Sequence, residues 1–379
     1  MMTSFKQSGW RAVTMALLVA TAVGCASDGG NREPKPLQAF DSLVSVAQVW
    51  KTNLDGEVGD ALRLAASGQL VASATTDGVV AVVDTETGAL VWQAKHPARI
   101  VAGAGFDGER VGVLDADNHL SVFAKGKLLW SVGLPARSYT PPLIAGGRVF
   151  VLLSDRRLAA FDQETGAQLW LRRYGDSALV LANPGLLTAV GNTLAVGLGE
   201  KFAAVNPDNG ALLWATPLVQ PRGAEDIERL ADWVDGAVFA GTRVCGQAFQ
   251  NAIGCLDLST RRVEWTVPFT GANGVVGDQN TLYAVDAASR VSAYETATGQ
   301  SKWTQAALTF RGITPALLLG QTIVVGDYEG YLHWLSRDDG RVMARMPTDG
   351  SPIVGKPLLV NGTAVAITQR GSLFAWRPQ

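Results

Sequence analysis

Charge is what this chain has least of. Only 17% of its 379 residues are Asp, Glu, Lys or Arg, and the formal net charge is −2. Lys6 and Arg11 are the only charges in the first 24 residues, so the remainder sets 30 of the 32 basic residues against all 34 acids. A balance of that kind has no basic stripe to neutralise phosphates, which excludes nucleic acid as the main partner. Histidine and cysteine are scarce too, at three each. His96, His119 and His333 stand in different repeats without HxxxH or HExxH spacing, so they are expected as surface or strand residues rather than metal ligands. GxSxG and Walker motifs are absent. Gly103–Gly108 (GAGFDG) fits GxGxxG formally, but Val111–Leu114 after it reads as a strand, so the stretch is a hairpin turn and not a dinucleotide site. Also missing, from Ala47 onward, is any stretch of 12 or more residues with a 3.6-residue period, which excludes a helical fold.

What the chain has is a leader and a repeat. After the charged Met1–Arg11 comes Ala12–Val23, a 12-residue uncharged run that is too short to span a bilayer and fits a secretory signal. It ends Ala22-Val23-Gly24-Cys25, which is similar to a bacterial lipobox with Ala22 where Leu is commonest. On that reading Cys25 is lipidated, and Ala26 after it directs the anchor to the outer membrane. The alternative is an ordinary small-residue cleavage site beside a chance cysteine. Ser27–Pro36 is polar and rich in Gly and Pro, a flexible tether. The expected organisation is signal peptide 1–24, tether 25–40 and folded body 41–379.

The repeat is best seen in Ala81–Trp92 (AVVDTETGALVW), where a strand, an Asp/Thr/Gly turn and a second strand ending on Trp make a hairpin. It returns as FDQETGAQLW (161–170), VNPDNGALLW (205–214) and YETATGQSKW (294–303). FAKGKLLW (123–130) is a shortened copy, LDLSTRRVEW (256–265) has Arg261 in the glycine slot, and LSRDDGRVMA (335–344) has Ala344 in the Trp slot. The slots from Trp50 to Ala344 are spaced 42, 38, 40, 44, 51, 38 and 41 residues apart. A period near 40 with one turn glycine and one Trp per copy predicts an all-β, eight-bladed propeller of four-stranded antiparallel blades. Seven blades are complete. Ile353–Trp376 lacks a slot Trp and Ala47–Asn53 supplies one, so the two ends should pair into an eighth. A solenoid, the alternative, would need polar caps. The recurring Trp is expected to wedge between blades. Repeat acids such as Asp84, Asp162 and Asp257 are read as turn residues, not as a catalytic pair.

The 51-residue interval holds two departures: Pro221–Trp233 (PRGAEDIERLADW), polar and charged, and Arg243–Gly254, read as a lengthened hairpin. Cys245 and Cys255 flank that hairpin on facing strands. In an exported protein they are expected as a structural disulfide, the alternative being two buried thiols.

The DxxTGxxxW repeat resembles that of quinoprotein dehydrogenases, which hold pyrroloquinoline quinone and calcium. Those chains are longer and many carry adjacent cysteines at the quinone; neither feature is found here, so the resemblance reaches the scaffold only. The chain more closely resembles the BamB family of the outer-membrane β-barrel assembly machinery. Beyond the repeat, this rests on the lipobox, on Asp226–Asp232 (DIERLAD) and on Val325–Ser336 (VGDYEGYLHWLS). The resemblance implies a non-enzymatic scaffold lipoprotein without cofactor or metal, on the periplasmic face of the outer membrane. Its partners would be the periplasmic (POTRA) domains of BamA and unfolded outer-membrane proteins; client strands could also add to its sheet edges. Two loops would carry the docking. One supplies Leu179 and Leu181, with Ala182 where the family has Arg. The other supplies Arg229, which could brace its own loop, and Asp232, with Val234 replacing a second acid. An apolar pair beside an exposed carboxylate suits an interface with a small core and a charged rim; core packing of the leucines and a turn role for Asp232 are the alternatives. A quinoprotein-like dehydrogenase or ligand-binding envelope propeller is the rival reading of the whole chain.

Overall fold

The repeat turn closes on itself before it meets anything else. Asp84 Oδ1 accepts hydrogen bonds from Glu86 N (3.1 Å), Thr87 N (2.9 Å) and Thr87 Oγ1 (2.8 Å). Asp162 does the same with Glu164 and Thr165. Gly88 and Gly166 then take φ of +74° and +71°, the left-handed region that glycine enters without penalty. Each turn joins two strands whose ladder skips one residue just before the tryptophan. Leu90 lies opposite Val83 and Trp92 opposite Val82, which leaves Val91 bulged out; Leu169 and Leu213 are bulged in the same way. A bulge bends its strand and re-aims the residue that follows. Two consecutive apolar side chains are left facing water, Leu212 and Leu213 being half exposed, while the indole turns toward the neighbouring sheet.

In this computed structural model the described residues are 32–59, 61–175, 181–220 and 230–379. The chain divides into residues 1–33 and one folded unit, Pro34–Gln379. Among the described residues there is no helix, and the strands form eight antiparallel sheets of four. The fold is an eight-bladed β-propeller. Blades 1 to 7 are consecutive: residues 65–95, 100–133, 143–173, 187–217, 238–268, 275–305 and 317–347. Blade 8 is the composite, with Val46–Asn53 pairing antiparallel to Ser372–Pro378. The first strands of neighbouring blades touch one another around the axis, so they are innermost.

The core lies between blades. Trp130 of blade 2 lies over Gly166 of blade 3, where a Cβ would stand 2.7 Å from the indole, and its Nε1 donates to Gln163 O at 2.9 Å. Trp50 on Gly88, Trp170 on Gly210, Trp265 on Gly299 and Trp303 on Gly340 repeat the contact, each with an indole N–H bonded to the same turn. By area, burying one such ring contributes roughly 4–6 kcal/mol. Trp214 meets Arg261 instead, whose guanidinium lies 5.7 Å from the ring centre with the backbone at φ +58°.

Ala344, the empty slot, has a structural reason. Its indole would cover the turn between the third and fourth strands of blade 8, and that turn does not exist because the fourth strand comes from the other end of the chain. Residues 40–45 occupy the place. Leu43 N bonds Met343 O at 2.8 Å, Phe40 lies under the Arg345 guanidinium, and Val44 packs on the cluster of Ala344, Trp334 and Trp376.

Three expectations need correction. Residues 35–40 are not tether: Lys35 N bonds Thr309 O at 2.9 Å, Lys35 O accepts from Arg311 Nη1 at 3.2 Å, and Leu37 packs against the blade 6–7 core. Backbone partners there outweigh the Pro-rich composition. The 243–254 hairpin is not lengthened either. Arg243–Ala248 and Ala252–Asp257 pair in full register, and the extra length of the long interval falls in residues 218–237. Cys245 stands opposite Cys255 in that register and the two sulfurs are bonded. Lastly, His96 is neither surface nor strand: it lies just past Leu90–Lys95, buried 2.9 Å from Asp115, whereas His119 and His333 are strand residues as expected, His333 buried 2.9 Å from Asp327. Of GAGFDG, residues 103–106 are strand and Gly108 alone takes the positive φ of the turn.

Candidate docking face

The connections between blades and the turns joining second to third strands share one face of the ring, and the Trp-covered turns share the other. Asp232 organises the first face. It falls in the long 218–237 connection before blade 5 and is 9% exposed. Its Oδ1 accepts Arg156 Nη2 at 2.8 Å, and its Oδ2 accepts Leu181 N at 2.9 Å. Its carbonyl accepts Phe249 N at 2.9 Å. One residue thus ties the turn of blade 3, the connection before blade 4 and the turn of blade 5. A carboxylate with both oxygens engaged by charged and backbone donors is a strong tie in a site of low exposure.

Trp233 continues the clamp. It is buried, bonds through its backbone N to Gly199 O at 2.7 Å, and lies 5.5 Å from the Phe202 ring. Gly197 and Gly246 leave room for it: a Cβ on Gly246 would stand 2.1 Å from the indole. Val234 pairs with Gly185, and Asp235 N bonds Pro184 O at 3.0 Å. The segment 231–235 therefore threads between the 181–186 strip and two blades. Leu181 is partly buried on this face.

The carboxylate expected on an exposed rim is thus buried, because Arg156 and the Leu181 amide compensate the cost of removing it from water. Asp232 and Leu181 are brought together. Leu179, Arg229 and Cys25 lie outside the described residues, so the pairing of Arg229 with Asp232 and the lipidation of Cys25 have no structural account. Sequence reading missed Arg156 and Trp233. Arg156 sits at φ +65° in a turn with no motif. Trp233 had a signal, as one of four among eleven tryptophans that fall outside the slot series.

No group of three or more His, Cys, Asp or Glu among the described residues could hold a metal ion. The second motif, Val325–Ser336, builds a buried polar network. Asp327 accepts Glu329 N, Tyr331 N, Arg311 Nε and His333 Nε2 at 2.9–3.0 Å.

A sequence profile described as outer membrane protein assembly factor BamB matches residues 38–125, 76–305 and 289–378, nearly all of the propeller. This chain belongs to the BamB family. The outer membrane protein assembly factor BamB of Burkholderia pseudomallei is 34% identical over 371 residues, 97% of each chain. That of Bordetella pertussis is 33% identical over 374 residues, again 97% of each. Among solved structures, BamB from Moraxella catarrhalis superposes with a TM-score of 0.79 at 21% identity, covering 88% of this chain and all of that one. Quinohemoprotein alcohol dehydrogenase ADHIIG from Pseudomonas putida HK5 gives 0.66 at 12% identity, covering 89% of this chain and 76% of that one. The latter likeness is one of fold, so BamB-family membership rests on the profile and the full-length relatives.

Proposed function

We propose that the chain is a non-enzymatic scaffold of the outer-membrane protein assembly machinery. It is held at the periplasmic face of the outer membrane by lipid on Cys25, and docks on the periplasmic domains of BamA. Support for the general role comes from relatives of the same length that carry the assembly-factor name. Support for the surface comes from one observation: Asp232 fixes the backbone of Leu181 on the connection face. Leu181 and Leu179 supply the apolar centre, and Asp232 acts as a positioning residue through Arg156 and the Leu181 amide. Held in this way, the Leu181 backbone loses little conformational freedom on binding, which favours affinity.

The test is pull-down of the full chain with the periplasmic part of BamA. Leu179→Ala/Leu181→Ala and Asp232→Ala should each weaken capture at least tenfold, while Leu90→Ser on the opposite face leaves it unchanged. Undiminished binding by folded variants would reject this surface.

A further inference from the structure

Three charged side chains meet where the innermost strands begin, and the docking face uses none of them. Arg63 lies two residues before the innermost strand of blade 1, and Asp235 three before that of blade 5. Lys356 holds the same place in blade 8, within the irregular part of Ile353–Val360 between Val354 and Leu358. Blades 1 and 5 stand on opposite sides of the eight-membered ring, so the pair Arg63 Nε to Asp235 Oδ2, 3.8 Å apart, reaches across the axis.

The charges do not balance. Asp235 Oδ1 already accepts Gly236 N at 2.8 Å, and the side chain is 42% exposed. Arg63 Nε is buried without a hydrogen-bond partner, since 3.8 Å is too long for one. Lys356 makes no hydrogen bond or ion pair with any described residue. Burial lowers its pKa, with Asp235 opposing and Arg63 adding to the effect. The frame is fixed: Arg63 N bonds Gly103 O, Arg63 O accepts Ala104 N at 2.9 Å, and Gly355 packs beside Leu62 O. Two cations thus face one already-engaged carboxylate at the propeller axis.

We propose that this cluster at the propeller axis binds a small oxyanion, a carboxylate or phosphate group, between Arg63 and Lys356. The guanidinium offers a fork of donors suited to two oxygens, the ammonium a point charge beside it. Asp235 competes for the same guanidinium and sets the affinity.

Lys356, with its lowered pKa, suits reductive methylation of the full chain near neutral pH, read by peptide mass spectrometry. Inorganic phosphate and acetate are titrated at constant ionic strength against sodium chloride. Saturating anion should slow modification of Lys356 at least fivefold and leave the other lysines unaffected. Protection by phosphate alone assigns a phosphoryl group, and by acetate alone a carboxylate. Arg63→Gln should abolish protection, and Asp235→Asn should lower the half-protecting concentration about tenfold. Slowing matched by chloride, no protection by either anion, or an Asp235→Asn variant that is no more sensitive would each overturn the proposal.

Discussion

At the scale of single residues, two positions decide between neighbours of similar chemistry. Gly166 is held at φ +71° with an indole 2.7 Å from where a Cβ would be, so Gly166→Ala meets both strain and overlap. The expected cost is about 2–4 kcal/mol in urea unfolding; a cost under 0.5 would show that the Trp130 contact yields freely. At the corresponding turn Arg261 meets Trp214 differently, with its guanidinium over the ring face 5.7 Å from the centre. The second position is His333. Its Nδ1 accepts Arg345 Nε at 3.4 Å, so Nε2 carries the proton given to Asp327. Burial pushes the imidazole pKa below 6.5, while Asp327 opposes. For Asp327, burial pushes up, but His333, the Tyr331 amide and Arg311 hold its pKa below 3.8. Both folded values are depressed. Stability from His333 is therefore complete above pH 6.5 and lost as pH falls below it, with the Asp327 share lost below pH 3.8. The unfolding free energy from urea titrations should fall between pH 7 and pH 5, by up to roughly 1 kcal/mol per pH unit. In His333→Gln that slope should flatten, and an equal slope in the variant would place the titration elsewhere.

At the scale of the element, the hairpin with its bulge and indole is the unit, and the eighth slot is its instructive exception. Ala344 is fully buried among Trp334, Trp376 and Val46, with residues 40–45 lying where the absent turn would be. Ala344→Trp therefore does not complete a pattern. It displaces packed side chains, and should lower stability by about 1–3 kcal/mol in thermal or urea unfolding. Trp265→Ala, at a filled slot, should cost about 3–5 kcal/mol. A stabilised Ala344→Trp would mean that a gap exists there. The spacing of glycine and tryptophan made this unit legible, because both ends of the contact recur at fixed offsets. The bulge was not legible as such, since a skipped residue leaves no residue type behind.

At the scale of the whole molecule, closure depends on eight residues from one end of the chain. Val46–Asn53 pairs with Ser372–Pro378 and carries Trp50 to Gly88 of blade 1. A chain beginning at residue 54 should leave the edge of Ser372–Pro378 unpaired and lose its single cooperative transition, with aggregation seen in size-exclusion chromatography. One beginning at residue 34 should remain monomeric and unfold in one step, and identical behaviour of the two truncations would contradict closure by this strand.

The number of blades, the sharing of the last one and the family were legible in the chain alone. Those follow from local chemistry, with turn residues, alternating apolar runs and an aromatic at a fixed interval. That Asp232 is a buried tie and that residues 35–40 belong to the folded body emerges from the folded ring. It alone brings Arg63, Asp235 and Lys356 to one axis. Such relations join residues tens to hundreds of positions apart. They depend on where a ring places its members, and no local pattern of residue types encodes that distance.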